Sequence, residues 1–253
     1  MKRRRYQLLM VLFLILYMSI KCAWLFWPPQ ERVCGGSEDS RKVCYLLNLD
    51  GMKGLGHCAL LLTEPDGSGV VYSYNGMQYN LFWCLAGKAG VGKMMRYTLE
   101  PQDVQELLQT GNLETEDHEE CGNFDRILYR CISEEQQNQI KRAAGYYVEA
   151  GNEYERLYAA LQSPEEELRR EAEAEMEYFL KTDLPRYQIY THNCDTVARE
   201  LLALVDEEVE RYNGSGTCLT PVGNYKHMCR ILGEQWGYGI LGKDSLAERL
   251  LSF

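Results

Sequence analysis

The sequence predicts an α+β fold in which an antiparallel sheet packs on helices. Between Lys42 and Tyr74, short runs rich in β-branched and aromatic residues are separated by glycine, proline and aspartate turns, the pattern of a meander. From Ser133 onward, capping boxes and apolar residues at helical spacing take over. With 253 residues, 45% of them hydrophobic, the chain can bury a core and suits one domain, or one domain carrying an insertion.

Residues 1–29 read as a membrane segment. Lys2 to Arg5 form a basic flank, Tyr6 to Ile20 are fifteen residues without a charge, and after Lys21 a second apolar patch runs from Cys22 to Trp27, ahead of Pro28 and Pro29. No small-residue cleavage site follows, so the prediction is an uncleaved signal-anchor. This makes a single-pass protein of the cell membrane, its basic end cytoplasmic, its C-terminal domain extracytoplasmic and the lipid bilayer a partner. The formal charge of −10 includes +4 from Lys2 to Arg5, which leaves −14 on the rest. Such an acidic body argues against nucleic acid as a partner. Residues 30–41 read as a polar linker.

Lys42 to Leu49, His57 to Thr63 and Gly69 to Tyr74 are the predicted strands of the meander. Side chains alternate along a strand, so His57, Ala59 and Leu61 share a face while Cys58 takes the other; Val71, Ser73 and Asn75 share a face of the third strand. If those strands pair, Ser73 or Asn75 lies near the His57 ring and fixes its tautomer. Asn75 to Gly92 reads as a long loop that walls a groove. Gly87 to Lys93 has the spacing of a phosphate loop, but Met94 stands where a magnesium-binding hydroxyl belongs, and Met94 to Leu99 reads as a strand. The motif is therefore set aside.

Pro101 to Thr110 is a predicted helix closed by Gly111. Asn112 to Gly122 is an acidic loop containing His118, and Asp125 to Ile132 a strand. The capping box Ser133 to Gln136 opens a helix to about Val148, and a second box at Ser163 opens one to about Lys181 with Leu168, Ala172, Met176, Phe179 and Leu180 on one face. Tyr212 to Thr220 reads as a glycine-rich loop, Pro221 to Ile231 as a short helix and Gly237 to Phe253 as a terminal helical piece. The ten cysteines suit an oxidising compartment; Cys34 with Cys44, Cys121 with Cys131 and Cys218 with Cys229 are close enough in sequence for local pairs, the connectivity staying open.

The candidate site centres on Tyr187 to Asp206. A strand-like start passes into a helix in which Val197, Ala198, Leu201, Leu202 and Val205 recur at helical spacing. Cys194 then sits in the first turn, where unpaired N–H groups and the positive end of the dipole stabilise a thiolate and receive an oxyanion. The blander reading makes Asn193 a cap and Cys194 a small core residue. His192 is too near in the chain to face the thiol, His227 falls in a helix, and His57 is the geometric favourite. The pairs His57–Cys58, His192–Cys194 and His227–Cys229 offer metal-ligand types, but no C-x-x-C pair supports a closed zinc site, and neither metal nor cofactor is expected.

The runs GHCALLL (Gly56–Leu62), GVVYSYNG (Gly69–Gly76), YQIYTHNCDTVARELL (Tyr187–Leu202) and TPVGNY (Thr220–Tyr225) resemble the circularly permuted papain-like amidases and peptidases of the NlpC/P60 superfamily. Similar groups are the lecithin:retinol acyltransferase-like and PPPDE-like enzymes and bacterial exported domains with an Asn-Cys nucleophile motif. The resemblance implies a papain-like α+β domain over residues 42–253, with residues 133–183 a helical insertion able to reshape the cleft. It implies Cys194 as nucleophile, His57 as general base, Ser73 or Asn75 as the residue orienting the ring, Asn193 as a positioning group and the Cys194 N–H in the oxyanion hole. The implied activity is thiol hydrolysis of amide bonds in peptides, peptidoglycan or proteins. No acidic-His-Phe run follows the cysteine, which speaks against lipid acyl transfer. The alternative is an inactive papain-like binding or envelope-structural module.

Overall fold

The computed structural model describes residues 31–34, 41–51, 56–77, 89–113, 123–181, 186–214 and 218–242. The fold is α+β. Strands β1 (Lys42–Asn48), β2 (His57–Thr63), β3 (Gly69–Gly76), β4 (Gly90–Leu99), β5 (Arg126–Cys131), β6 (Arg186–Tyr187) and β7 (Gly237–Ile240) form one seven-stranded sheet in the order β6-β4-β3-β2-β1-β5-β7. Every neighbouring pair is antiparallel. The helices are α1 (Pro101–Thr110), α2 (Glu134–Leu161), α3 (Glu166–Lys181), α4 (Cys194–Ala203), α5 (Glu207–Gly214) and α6 (Pro221–Ile231).

Both faces of the sheet are covered, which explains why β2 is buried along its whole length. Cys58, Leu60 and Leu62 face a core shared with α4, α5 and α6, while Ala59 and Leu61 face Val104, Leu107 and Leu108 of α1. Helix α1 keeps its predicted limits because Gly111, at φ 80°, closes it in the left-handed conformation and its N–H bonds Leu107 O.

Several elements differ from expectation. Strands β3 and β4 extend to Gly76 and from Gly90, narrowing the expected loop from both sides. Gly92 hides this extension because a Cβ there would meet the Tyr74 hydroxyl at 1.8 Å. Lys93, last residue of the discarded phosphate-loop motif, lies in β4 and pairs with Glu155 at 2.5 Å. Helix α2 runs past Val148 to Leu161, with Gly151 allowing it to cross Lys93 closely. On α3 only Ala172 and Met176 of the expected apolar face are buried; Leu168 and Leu180 are exposed. The loop expected from Tyr212 instead begins as the end of α5, and Gly237–Ile240, expected to lead a helix, is a strand paired with β5.

The single-pass membrane assignment is corrected. Among the described residues no helix is long and apolar enough to cross a membrane. Residues 1–29, on which the anchor prediction falls, lie outside the described residues. The extracytoplasmic placement and the bilayer partner, which rested on that anchor, are withdrawn with it. The local disulfide pairs are also corrected: Cys34, Cys44, Cys131, Cys218 and Cys229 are free thiols, and Cys121 lies outside the described residues. In the expected linker, Arg32 is docked, bridging to Tyr238 and donating to Trp236 O at 2.8 Å and Leu232 O at 3.0 Å.

Asp206 ties this half of the fold together. Its Oδ1 caps α5 by accepting from the Glu208 and Val209 N–H groups at 2.8 and 3.1 Å, while Oδ2 accepts from the buried Trp236 indole at 2.9 Å and pairs with Arg130. Asp206→Ala removes the cap and leaves a buried indole N–H and a guanidinium unpaired, so unfolding in urea is expected to show a loss of about 3 kcal/mol. A loss below about 1 kcal/mol would show that the junction does not depend on this carboxylate.

Candidate active site

The site begins with a tight turn. After β6, Gln188 and His192 bridge across Thr191, and Asn193 stops the extended chain and caps α4. Its Oδ1 accepts from the Asp195 and Thr196 N–H groups at 3.0 and 3.1 Å, and its Nδ2 donates to Ile189 O at 2.7 Å. Cys194 is therefore the first helical residue, with its own N–H beside the sulfur at the positive end of α4.

The opposite wall comes from β2 and β3. Their ladder runs from Leu60–Tyr72 to Thr63–Gly69, so His57, Cys58 and Ala59 extend past it. There the Cys194 sulfur receives hydrogen bonds from the Cys58 thiol, the Cys58 backbone N–H and the His57 ring. His57 Nε2 lies 2.9 Å from Ser73 Oγ, and Asn75 Nδ2 donates to the same Oγ at 3.3 Å. The order of contact is Asn75, Ser73, His57, Cys194. Of the two residues expected to orient the ring, Ser73 touches it and Asn75 acts through Ser73. All of Cys194, His57, Ser73, Asn75 and Asn193 thus fall within one region, whereas His192 and His227 do not. His192 bonds Arg186 O through Nδ1 at 2.8 Å and stacks on Tyr147, and His227 lies edge-on to Tyr212.

Electrostatics separate Cys194 from the other cysteines. The Cys58 hydrogen bond, more than any other influence, holds its thiol well below the usual range; burial opposes this, and the His57 charge and hydrogen bond add to it. Cys44, buried without such donors, and Cys229, where burial outweighs a hydrogen bond from Tyr225, are pushed up to about 12.

Sequence reasoning missed the layer behind the sulfur. Alternation on β2 put Cys58 on the face away from His57, yet both reach Cys194 because the strand end is free of β3. Cys58 also lies beside Tyr45, whose hydroxyl donates to Asp195 Oδ1 at 2.6 Å. Asp195 in turn accepts from Arg199 Nε at 2.9 Å and Asn224 Nδ2 at 2.7 Å. Its carboxyl is raised by burial, against the pull of Arg199. The signal available in the sequence was an Asp195–Arg199 pair one helical turn apart on a helix that is apolar around it. Among the described residues no cluster of three or more His, Cys, Asp or Glu is placed to hold a metal ion.

Because the Cys194 pKa is lowered, its thiolate persists as pH falls below the range of ordinary thiols. Iodoacetamide is expected to alkylate Cys194 first and to keep doing so below pH 7, with His57→Ala and Cys58→Ala each moving the onset upward and lowering the rate at pH 7 by about tenfold. An unshifted onset in both variants would show that neither residue activates the sulfur. Asn193→Ala should cost about 1–2 kcal/mol in thermal or urea unfolding. No known protein family, curated protein or solved structure matches the chain.

Proposed function

We propose that this chain is a thiol hydrolase of amide bonds with a circularly permuted papain-like arrangement, in which the histidine strand precedes the cysteine helix and residues 133–183 are an insertion. The observation that supports it is the ordered contact Asn75–Ser73–His57–Cys194 at a helix N-terminus. With Nε2 engaged by Ser73, Nδ1 is the ring nitrogen left to serve the sulfur.

The Cys194 thiolate attacks the amide carbonyl, and the oxyanion is received by the Cys194 N–H at the start of α4. His57 gives its proton to the leaving amine, the C–N bond breaks and a thioester remains. Water then loses a proton to His57 and attacks the thioester, releasing the acid and restoring thiolate and imidazolium. Ser73 keeps the ring in one tautomer and orientation, and Asn75 holds Ser73. Peptides, peptidoglycan stem peptides and protein segments are the substrates this chemistry fits.

One observation favours a second reading. Cys194 and His57 are only 2% and 6% exposed, and a papain-like fold with its sulfur covered could serve as a binding or envelope-structural module. The two readings separate by assay of the full chain against peptide and peptidoglycan substrates. The enzyme reading expects cleavage that falls at least about 10³-fold in Cys194→Ala and about tenfold in Ser73→Ala, with a smaller loss in Asn75→Ala. Cleavage unchanged in Cys194→Ala, or none with any amide while Cys194 resists alkylation, would overturn it.

A further inference from the structure

Two hydrogen-bonded thiol pairs occur among the described residues. One joins Cys34 to Cys131 and the other joins Cys58 to Cys194. Only the second contains a thiol held below the ordinary range; Cys34 is raised to about 11, chiefly by burial. The catalytic sequence proposed above uses Cys58 only as a donor to the sulfur, and a serine would donate as well. A thiol at that place adds a chemistry that a hydroxyl lacks.

We propose that Cys58 is the resolving thiol of Cys194, so that a hydroperoxide converts the pair to a reversible intramolecular disulfide that switches the site off. The proposal rests on the reading of Cys194 as an activated thiolate, and not on which amide it cleaves. In the first step the Cys194 thiolate attacks one oxygen of hydrogen peroxide, the O–O bond breaks, and hydroxide leaves; sulfur is oxidised to sulfenic acid and peroxide is reduced. In the second, the Cys58 sulfur attacks the Cys194 sulfur, the S–O bond breaks, and the Cys58 proton leaves with the hydroxyl as water. The pair loses two electrons and peroxide gains them.

Placement favours this partner over every other described thiol. Cys58 already hydrogen-bonds Cys194 through its side chain and its backbone N–H, and both lie in the buried cluster where β2 packs on α4, so the two sulfurs are neighbours before oxidation. Exposures of 2% at Cys194 and 1% at Cys58 define the oxidant class. A hydroperoxide, close to water in size, suits so covered a pair better than a bulky disulfide.

The test treats the full chain with hydrogen peroxide, blocks remaining thiols with iodoacetamide in denaturant, and maps the peptides by mass spectrometry with and without reduction. The expected product is a reducible Cys58–Cys194 linked peptide formed ahead of any Cys34–Cys131 link, with the native alkylation of Cys194 falling about tenfold. In Cys58→Ala and Cys58→Ser, Cys194 is expected to pass on to sulfinic acid. If Cys194 in the unaltered chain becomes sulfinic while Cys58 is still alkylated, the resolving role is overturned and the thiolate reading stands. If peroxide and native iodoacetamide both leave Cys194 untouched, the thiolate reading falls, and this proposal with it.

Discussion

The site depends on one buried carboxylate. Asp195 is 1% exposed, and it joins its own helix, through Arg199, to two elements distant in sequence, Tyr45 on β1 and Asn224 on α6. A charge in that position is tolerated only because its acceptor sites are met by a guanidinium, a phenol and an amide. Asn224 extends the network, accepting from Tyr212 and from the Cys218 N–H. The first turn of α4 is thereby fixed against the sheet in the one orientation that brings Cys194 to the free end of β2. Replacing these contacts by apolar packing could preserve the fold, but it would let the helix turn about its axis and carry the sulfur away from His57.

Burial acts in the same direction on every cysteine of the core, and the difference between them lies in donors. Cys44 has no hydrogen-bond donor among the described residues and Cys229 has the Tyr225 hydrogen bond, too little to offset the loss of water, which raises both. Cys194 loses as much water but receives the Cys58 thiol, the Cys58 N–H and the His57 ring. A buried anion costs several kcal/mol unless it is paired and hydrogen-bonded, so the direction of the shift is decided by whether donors outnumber the lost waters. The end of β2 supplies them because its ladder with β3 stops at Leu60. The strand end, paired with β1 but not with β3, is what the sulfur uses.

Much of this was legible in the sequence where a local rule decides the structure. The capping box at Ser133, the proline and glycine that bound α1, the limits of β2 and the first-turn position of Cys194 each follow from a few adjacent residues. Whatever depends on a distant surface was hidden. Gly90 and Gly92 lack strand propensity, yet β4 starts at Gly90 because Tyr74 fills the place of a side chain at Gly92. Gly237 likewise sits where a Cβ would meet the Tyr129 ring at 2.4 Å, so a run of little periodicity becomes β7. Cysteine spacing misled for the same reason: the thiol partner of Cys34 is Cys131, brought beside it by the fold. Cys58 escaped notice because alternation separates its side chain from His57 but does not say that α4 packs against the end of β2, where both reach the sulfur.

The cover over Cys194 bears directly on why such a site persists. A cysteine kept only for packing needs no charged partner, and Ser73, at 0% exposure beside His57 at 6%, would be a costly pair to bury for packing alone. A valine or alanine at each position would fill the volume without unmet hydrogen-bonding demands. The arrangement instead directs Asn75 to Ser73, and Ser73 to a ring that also hydrogen-bonds the sulfur. Directionality of this kind does nothing for a hydrophobic core and is what proton transfer requires. The burial that restricts access also strengthens each of these contacts, since water neither competes for the donors nor screens the charge. Cover and activation are therefore two effects of one geometry, because the burial that excludes water also strengthens the hydrogen bonds that lower the Cys194 pKa.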